Sequence, residues 1–359
     1  MYILYLYLIL NDSDLKPIDL EIINAFKERL GQVEKTIAIV PHINADGDAI
    51  GSVLGLSRIL RNAGKKVVVL SPNHFPGFLR WMDGGREILI WTSSRKKVGQ
   101  ALAEAGMLIC MDFSQPSRAG EMKDRIEKFP GPGIIIDHHP CPEKFTEFMI
   151  SHPECSSTAE LAFHVVKAMG YQKYMDKQVA EAIFCGIMTD TGSFDYNVSD
   201  PQTFRTVSEL LTYGIDPEEI HRQIYDNYSV DRMRLLGYCL NESMEVYPEY
   251  HTAMIFISRE VQQRYHFVPG DNEGFVNYPL SIKGIHFSAL FTEKEDHVKV
   301  SFRSRGSFPV NEFASENFNG GGHRNASGGE INAPFEEVLE RFRNLLPAYK
   351  AMLKKTRIS

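Results

Sequence analysis

The sequence predicts an α/β protein of two domains: an N-terminal open parallel sheet, joined by a helical linker to a smaller α/β C-terminal domain. Three observations carry that prediction. From about Thr36 to His152, short β-branched apolar runs alternate with helical patterns, the rhythm of parallel strands joined by crossover helices. From Ser156 to about Ser243 the pattern is helical, and strands return after Glu245. The chain has 359 residues, more than one ordinary core accommodates.

The first domain is read from its strands. Thr36–Val40, Lys66–Leu70, Met107–Met111 and Gly133–Ile136 are short apolar runs bounded by polar or turn-forming residues, so each reads as a buried parallel strand. Ala49–Ala63 and Lys97–Ala105 fill the intervals as helices. Ser157 or Thr158, with Glu160 close behind, marks a helix start. Val179–Met188 is a strongly apolar helix. Asp200-Pro201 and Asp216-Pro217 each place a capping carboxylate before a proline at a first helical position. Ser229–Ser243 reads as the linking helix, which puts the domain boundary near residues 230–245. Beyond it, Thr252–Ile257, Ser288–Phe291 and His297–Phe302 read as strands and Pro334–Leu353 as a closing amphipathic helix.

Composition narrows the function. The formal charge of -7 argues against a protein that grips long nucleic acid through many phosphate contacts, which needs a broad basic face. A small anionic substrate stays compatible, because bound divalent cations reverse the sign of a carboxylate-rich site. The five cysteines, Cys110, Cys141, Cys155, Cys185 and Cys239, are odd in number and form no C-x-x-C pair. That disfavours a disulfide framework and a structural zinc site, and fits thiols in a reducing cytoplasm. The apolar run Met1–Leu10 is too short to span a bilayer and lacks a basic flank or a small-residue cleavage site. It is expected to be an upstream-extended start or a strand packing on a neighbour. With no other membrane-spanning candidate, a cytoplasmic location and no membrane partner are expected.

Four motifs fall where an α/β sheet does chemistry. Pro41-His42-Ile-Asn-Ala-Asp46-Gly-Asp48 follows the first strand, and Asp112 follows Met107–Met111. Asp137-His138-His139 follows Gly133–Ile136, and Thr189-Asp190 ends the apolar helix. Ligands of open α/β sheets bind beyond the carboxyl ends of the strands. Taken singly, an aspartate after a strand is a helix cap or turn residue, and a histidine is a surface or core residue. Together they gather carboxylates that repel one another unless a cation intervenes. Oxygen and imidazole ligands without thiolate suit Mn²⁺, with Mg²⁺ or Co²⁺ as alternatives. Two such ions clamp the attacking and leaving oxygens of a phosphoryl displacement.

The second domain holds Asn319-Gly320-Gly321-Gly322-His323 and, downstream, Ala326-Ser327-Gly328-Gly329. Successive glycine N–H groups can form an anion-binding nest. The strand ending Arg303-Ser304-Arg305 brings guanidinium groups suited to phosphate. A plain hairpin with surface arginines is the alternative.

In this order the motifs resemble the DHH phosphoesterase superfamily, which includes RecJ exonucleases and manganese-dependent inorganic pyrophosphatases. The Gly-Gly-Gly-His segment with Ala326-Ser327-Gly328 resembles the DHH-associated C-terminal domain, and the overall layout resembles the nano-RNase branch. The resemblance implies a catalytic domain over residues 18–228, a helical linker over 229–244, a substrate-binding domain over 245–359, and an active site in the cleft between the domains. It implies that His42, Asp46 and Asp112 hold one metal, and that Asp48, Asp112, His138 and Asp190 hold a second. Asp137 would orient the site, and His139 would contact the scissile phosphate. Arg303, His323, Gly320, Gly321 and Gly322 would bind substrate phosphate, with Arg305 a weaker candidate. Within an insert-like stretch over 272–282, Phe275 and Asn277 are candidates for lining the cleft, with packing the favoured role for Phe275.

The implied activity is hydrolysis of short oligoribonucleotides to mononucleotides, and of 3′-phosphoadenosine 5′-phosphate (pAp) to AMP. The resemblance also implies a homodimer. Competing readings are a RecJ-like single-strand exonuclease, a hydrolase of linear dinucleotides such as pApA or of short-chain polyphosphate, and a catalytically silent nucleotide sensor. The exonuclease calls for a basic, aromatic groove, and none is obvious in this sequence.

Overall fold

The computed structural model describes residues 19–83 and 88–356. The apolar run Met1–Leu10 lies outside the described residues. The chain divides into two compact units, the first ending at Asn227 and the second beginning at Tyr228.

The first unit starts with helix α1 (Leu20–Gln32). Its sheet comprises β1 (Ile37–Val40), β2 (Val67–Ser71), β3 (Ile88–Ile90), β4 (Met107–Met111), β5 (Gly133–Asp137) and β6 (Phe148–Ser151). Their order is β3-β2-β1-β4-β5-β6, and every neighbouring pair is parallel. Strands β3 and β6, which the sequence reading did not identify, are edge strands of three and four residues, too short to show a period. The longer helices that follow in this unit are α2 (Gly47–Asn62), α3 (Arg95–Glu104), α4 (Thr158–Ala168), α5 (Lys177–Asp190), α6 (Pro201–Leu211) and α7 (Pro217–Tyr225).

Both sheet faces are covered, which explains the near-continuous apolar strands. Ile37, Ile39, Ile109 and Ile136 pack with α2, α4 and α5 on one face, while Ala38, Val40, Cys110 and Ile135 pack with α3 on the other. Strand order reverses between β1 and β4, so a crevice is expected beyond their carboxyl ends. His42 and Asp112 emerge there.

Helices α2 and α5 cross at close range. A Cβ on Gly51 would lie 2.4 Å from the Ala182 carbonyl oxygen, and one on Gly186 would lie 2.5 Å from the Ala159 Cβ. Those glycines let the α2 N-terminus, carrying Asp46 and Asp48, approach the α4 and α5 ends.

The second unit opens with α8 (Val230–Asn241). The helix read as a linker contributes Leu235, Leu236 and Cys239 to a core with Ile255, Ile257 and Phe275. The sheet of this unit contains β7 (Glu245–Tyr247), β8 (Thr252–Ile257), β9 (Phe287–Glu293), β10 (Val298–Ser304), β11 (Gly321–His323) and β12 (Ala326–Ile331). Its order is β11-β12-β10-β9-β8-β7, antiparallel except for the β8–β9 pair. Phe287, Phe291 and Phe302 pack on one face with α9 (Val310–Asn317) and α10 (Phe335–Lys355). Phe275 is wholly buried in the other core, so it is a packing residue, while Asn277 is half-buried. Among the described residues, no helix is long and apolar enough to cross a membrane.

Candidate active site

The first unit brings His42, Asp46, Asp48, Asp112, His138 and Asp190 to one place. His42, just beyond β1, donates its Nδ1 proton to the Ile43 carbonyl at 2.7 Å. Its Nε2 then faces Asp112 Oδ2 at 3.4 Å and Asp46 Oδ1 at 3.9 Å. Asp46 caps α2 by accepting the Asp48 and Ala49 N–H groups. His138, just beyond β5, donates Nδ1–H to the Cys155 carbonyl at 3.1 Å. Its Nε2 faces Asp190 Oδ2 at 3.4 Å, Asp48 Oδ2 at 3.8 Å and Asp112 Oδ1 at 3.9 Å. In both rings the carbonyl fixes the tautomer and leaves Nε2 as a lone pair pointing at carboxylates.

Asp112 is where the two sets meet. It is 2% exposed and has a left-handed backbone with φ 64° directly after β4. Such strain in a non-glycine residue clusters at functional sites. The Asp112 N–H pairs with the Ile136 carbonyl at 3.1 Å, holding the turn, and its Oδ1 accepts the Thr158 hydroxyl at 2.8 Å. Asp48 accepts the Thr158 N–H at 2.7 Å and the Ala159 N–H at 2.8 Å. The start of α4 therefore orients two predicted ligands, a role that sequence reading did not assign to Thr158.

The charge balance is unfavourable as it stands. Burial, then the negative charge of Asp190, pushes the Asp48 carboxyl up to about 7. Burial, then Asp48, Asp46, Asp137 and Asp190, raises Asp112 well above the carboxylate range. Burial pulls His42 down to about 4, so near neutral pH the ring is uncharged and offers a lone pair, not a cation. The side chains face one another at 3.4–3.9 Å in surroundings that disfavour the charged carboxylates, a cost that a cation between them would relieve.

Two groups of ligand atoms meet that need. His42, Asp46 and Asp112 form one, and Asp48, Asp112 and His138 form the other; within each, the ligand atoms lie within 4.8 Å of one another. These buried acidic and histidine groups can hold metal. Asp112, Asp137 and His139 form a third such group. Asp137, however, is already engaged, accepting the His139 Nδ1–H at 2.8 Å and the His139 backbone N–H at 3.1 Å. Although burial pushes Asp137 up, the hydrogen bond from His139 holds it below the usual carboxylate range. The pairing fixes the orientation of the His139 ring, whose side chain is 24% exposed.

In the second unit, register places Arg303 opposite Ala326, and Ala326 opposite His323. Directly opposed residues share a face, so Arg303 and His323 flank one small alanine on the same side of the sheet. Arg303 is half-buried, and Arg305 is exposed just past β10.

Gly320, Gly321 and Gly322, the expected anion nest, lead into and form part of the edge strand β11. The Gly320 N–H donates to the Ala314 carbonyl at 3.1 Å, and Gly321 and Gly322 belong to the β11–β12 hairpin, paired with Gly328 and Ser327. A Cβ on Gly320 would lie 2.1 Å from the Gly328 carbonyl oxygen, whereas Gly321 has open space around it. Close backbone packing requires Gly320, and only Gly321 keeps a free approach.

Comparison with known proteins follows the same division. Residues 36–187 match the DHH family, N-terminal domain, and residues 258–353 match the DHHA1 domain. A solved exopolyphosphatase-related protein from Bacteroides fragilis is 44% identical, with 95% of this chain and 99% of that chain covered at a TM-score of 0.90. This chain belongs to the DHH family.

DHH phosphoesterases are hydrolases, and this DHH protein is one. It is 29% identical over 325 residues to the bifunctional oligoribonuclease and PAP phosphatase NrnA of Thermus thermophilus, covering 89% of this chain and 93% of that protein. The Bacillus subtilis protein of the same name is 27% identical over 305 residues, covering 82% of this chain and 89% of that protein. RecJ from Thermus thermophilus, solved with Mn²⁺, is 15% identical at a TM-score of 0.53, covering 94% of this chain and 55% of that chain, and shares the fold.

Proposed function

We propose that this DHH protein hydrolyses short oligoribonucleotides to mononucleotides and converts pAp to AMP, using two Mn²⁺ ions. The carrying observation is the pair of ligand groups that share the buried Asp112. His42, Asp46 and Asp112 would hold one ion; Asp48, Asp112, His138 and Asp190 would hold the other. Mg²⁺ or Co²⁺ would suit the same oxygen and imidazole ligands. When bound, such a pair supplies Lewis-acid charge at the phosphoryl oxygens and makes water a better nucleophile near neutral pH.

The remaining residues position and neutralise. Asp137 holds the His139 ring by its Nδ1–H, so that Nε2 serves the scissile phosphate or the leaving oxygen. Arg303 offers a planar fork to a substrate phosphate, and His323 adds a donor in the same cross-strand row. The net charge of -7 favours substrates with few phosphates over long strands. The names of the Thermus and Bacillus relatives support the same substrates. Short-chain polyphosphate is the second reading, favoured by the name of the Bacteroides fragilis neighbour.

The test is a Mn²⁺-dependent assay comparing pAp, a diribonucleotide, a long oligonucleotide and polyphosphate. The expected order places pAp and the diribonucleotide first, with Arg303→Ala raising KM for both about tenfold or more. Turnover of polyphosphate alone would replace the first reading with the second.

A further inference from the structure

A cavity of about 430 Å³ opens in the first unit beside the end of α5 and the start of α7. Its apolar wall is Phe184, Met188 and Phe194. The Phe184 and Phe194 rings lie 5.9 Å apart, and Phe194 lies 5.9 Å from Phe204, which is 50% exposed. Aromatic groups here continue outward to solvent instead of closing into the core.

The backbone that delivers Phe194 is strained. Gly192, Ser193 and Phe194 have φ values of 56°, 59° and 67°, three successive left-handed residues of which two carry side chains. The Ser193 N–H donates to the Met188 carbonyl at 2.7 Å and the Phe194 N–H to Thr191 Oγ1 at 3.1 Å, so the turn is pinned in this form. A cost of that kind persists where the surroundings enforce it, and such positions cluster at binding sites.

The polar lining tells which ligand fits. Glu218 and Asp226 are carboxylates, and His221 lies 3.8 Å from Asp226. Arg222 is bound to Glu219 at 2.7 and 3.1 Å and lies 4.0 Å from Glu218, so its charge is already met within the protein. An acceptor-rich, acidic lining repels phosphate and receives N–H donors. A flat ring with exocyclic amino groups satisfies both the aromatic wall and these acceptors.

We propose that this cavity is a nucleobase subsite, taking adenine, guanine or cytosine from a nucleotide beyond the one being cleaved. Its reach to the metal centre rests on the oligoribonuclease reading. Phe194 follows Asp190 by four residues, which span at most about 14 Å when fully extended. Stacked nucleotides advance about 3.4 Å per step, so an oligonucleotide of a few residues covers that distance.

The test uses the full-length protein in two measurements. Met188 lines the cavity, so its ¹³C-labelled methyl group, assigned with Met188→Leu, reports on occupancy. Adenosine, a neutral nucleoside that needs neither metal nor turnover, should shift that signal saturably in the wild type but not in Phe194→Ala. In parallel, kcat/KM for a tetraribonucleotide relative to pAp should fall about tenfold in Phe194→Ala, within the range of one lost base–aromatic stack. Asp226→Ala, at an exposed rim position, should lower the ratio for amino-bearing bases more than for uracil. A Met188 signal that ignores millimolar adenosine while short RNA is still hydrolysed would overturn the subsite alone, and so would an unchanged ratio in Phe194→Ala. Absence of hydrolysis with an intact Met188 response would refute the catalytic reading and leave the cavity assignment standing.

Discussion

Asp48→Asn separates the electrostatic cost of burying this carboxylate from its use in holding metal. Asp48 is 1% exposed, and its carboxyl is raised from 3.8 to about 7. That rise corresponds to about 4 kcal/mol of disfavour for the charged form once the pH is well above 7. The sign follows from the raised value. The wild type keeps this proton below pH 4 at no loss, then loses stability progressively as pH climbs through about 7. The amide never carries the charge. It can still accept one of the two N–H groups from Thr158 and Ala159, and losing the other costs about 1–3 kcal/mol.

Without metal at pH 8, Asp48→Asn should therefore be more stable than the wild type by about 1–3 kcal/mol, or several degrees in Tm. At pH 5 the gain should vanish or change sign. With Mn²⁺ in about hundredfold excess over its Kd, the wild type should gain about 3 kcal/mol that the variant lacks, reversing the order. Differential scanning fluorimetry at both pH values, with EDTA or Mn²⁺, reads all four states. A variant less stable than the wild type at pH 8 in EDTA would refute the electrostatic reasoning.

Two other predictions use the same geometry. Mn²⁺ uptake at pH 6 should release about one proton per chain, because Asp48 then retains its proton, and this contribution should decline above pH 8; titration calorimetry in buffers of different ionisation enthalpy measures this. Gly186→Ala would place a Cβ 2.5 Å from Ala159 and 3.0 Å from Asp48 Oδ1, so it should cost about 1–3 kcal/mol in Tm-derived stability and weaken Mn²⁺ binding, whereas Gly31→Ala, in a helix with open space around it, should leave Mn²⁺ binding unchanged and stability unchanged or raised by up to about 1 kcal/mol.

Much of the first unit was legible because its central strands are buried on both faces, which forces runs such as Met107–Met111 to be apolar throughout. The edge strands Ile88–Ile90 and Phe148–Ser151 were not, since so few residues carry no period. The convergence of His42, Asp46, Asp48, Asp112, His138 and Asp190 was legible for a topological reason: most of them follow strand ends, and strand ends share one edge. The contacts that orient them were hidden. Thr158 lies 110 residues from Asp48, and no local pattern announces a hydrogen bond across that separation.

The crossing of α2 and α5 was half visible. Gly47, Gly51 and Gly55 recur every four residues and mark one face of α2, but the partner helix is known only from the fold. The glycine-rich segment was legible only in part: the same composition serves an anion nest and a tight hairpin, and no local pattern announces the hydrogen bond from Gly320 to Ala314.

Anomalous diffraction from crystals of the full chain soaked in Mn²⁺ tests the metal assignment most directly. Two peaks are predicted, one among His42, Asp46 and Asp112 and one among Asp48, Asp112, His138 and Asp190, with Asp112 touching both. No peak at these side chains under saturating Mn²⁺, or peaks only elsewhere on the surface, would contradict it.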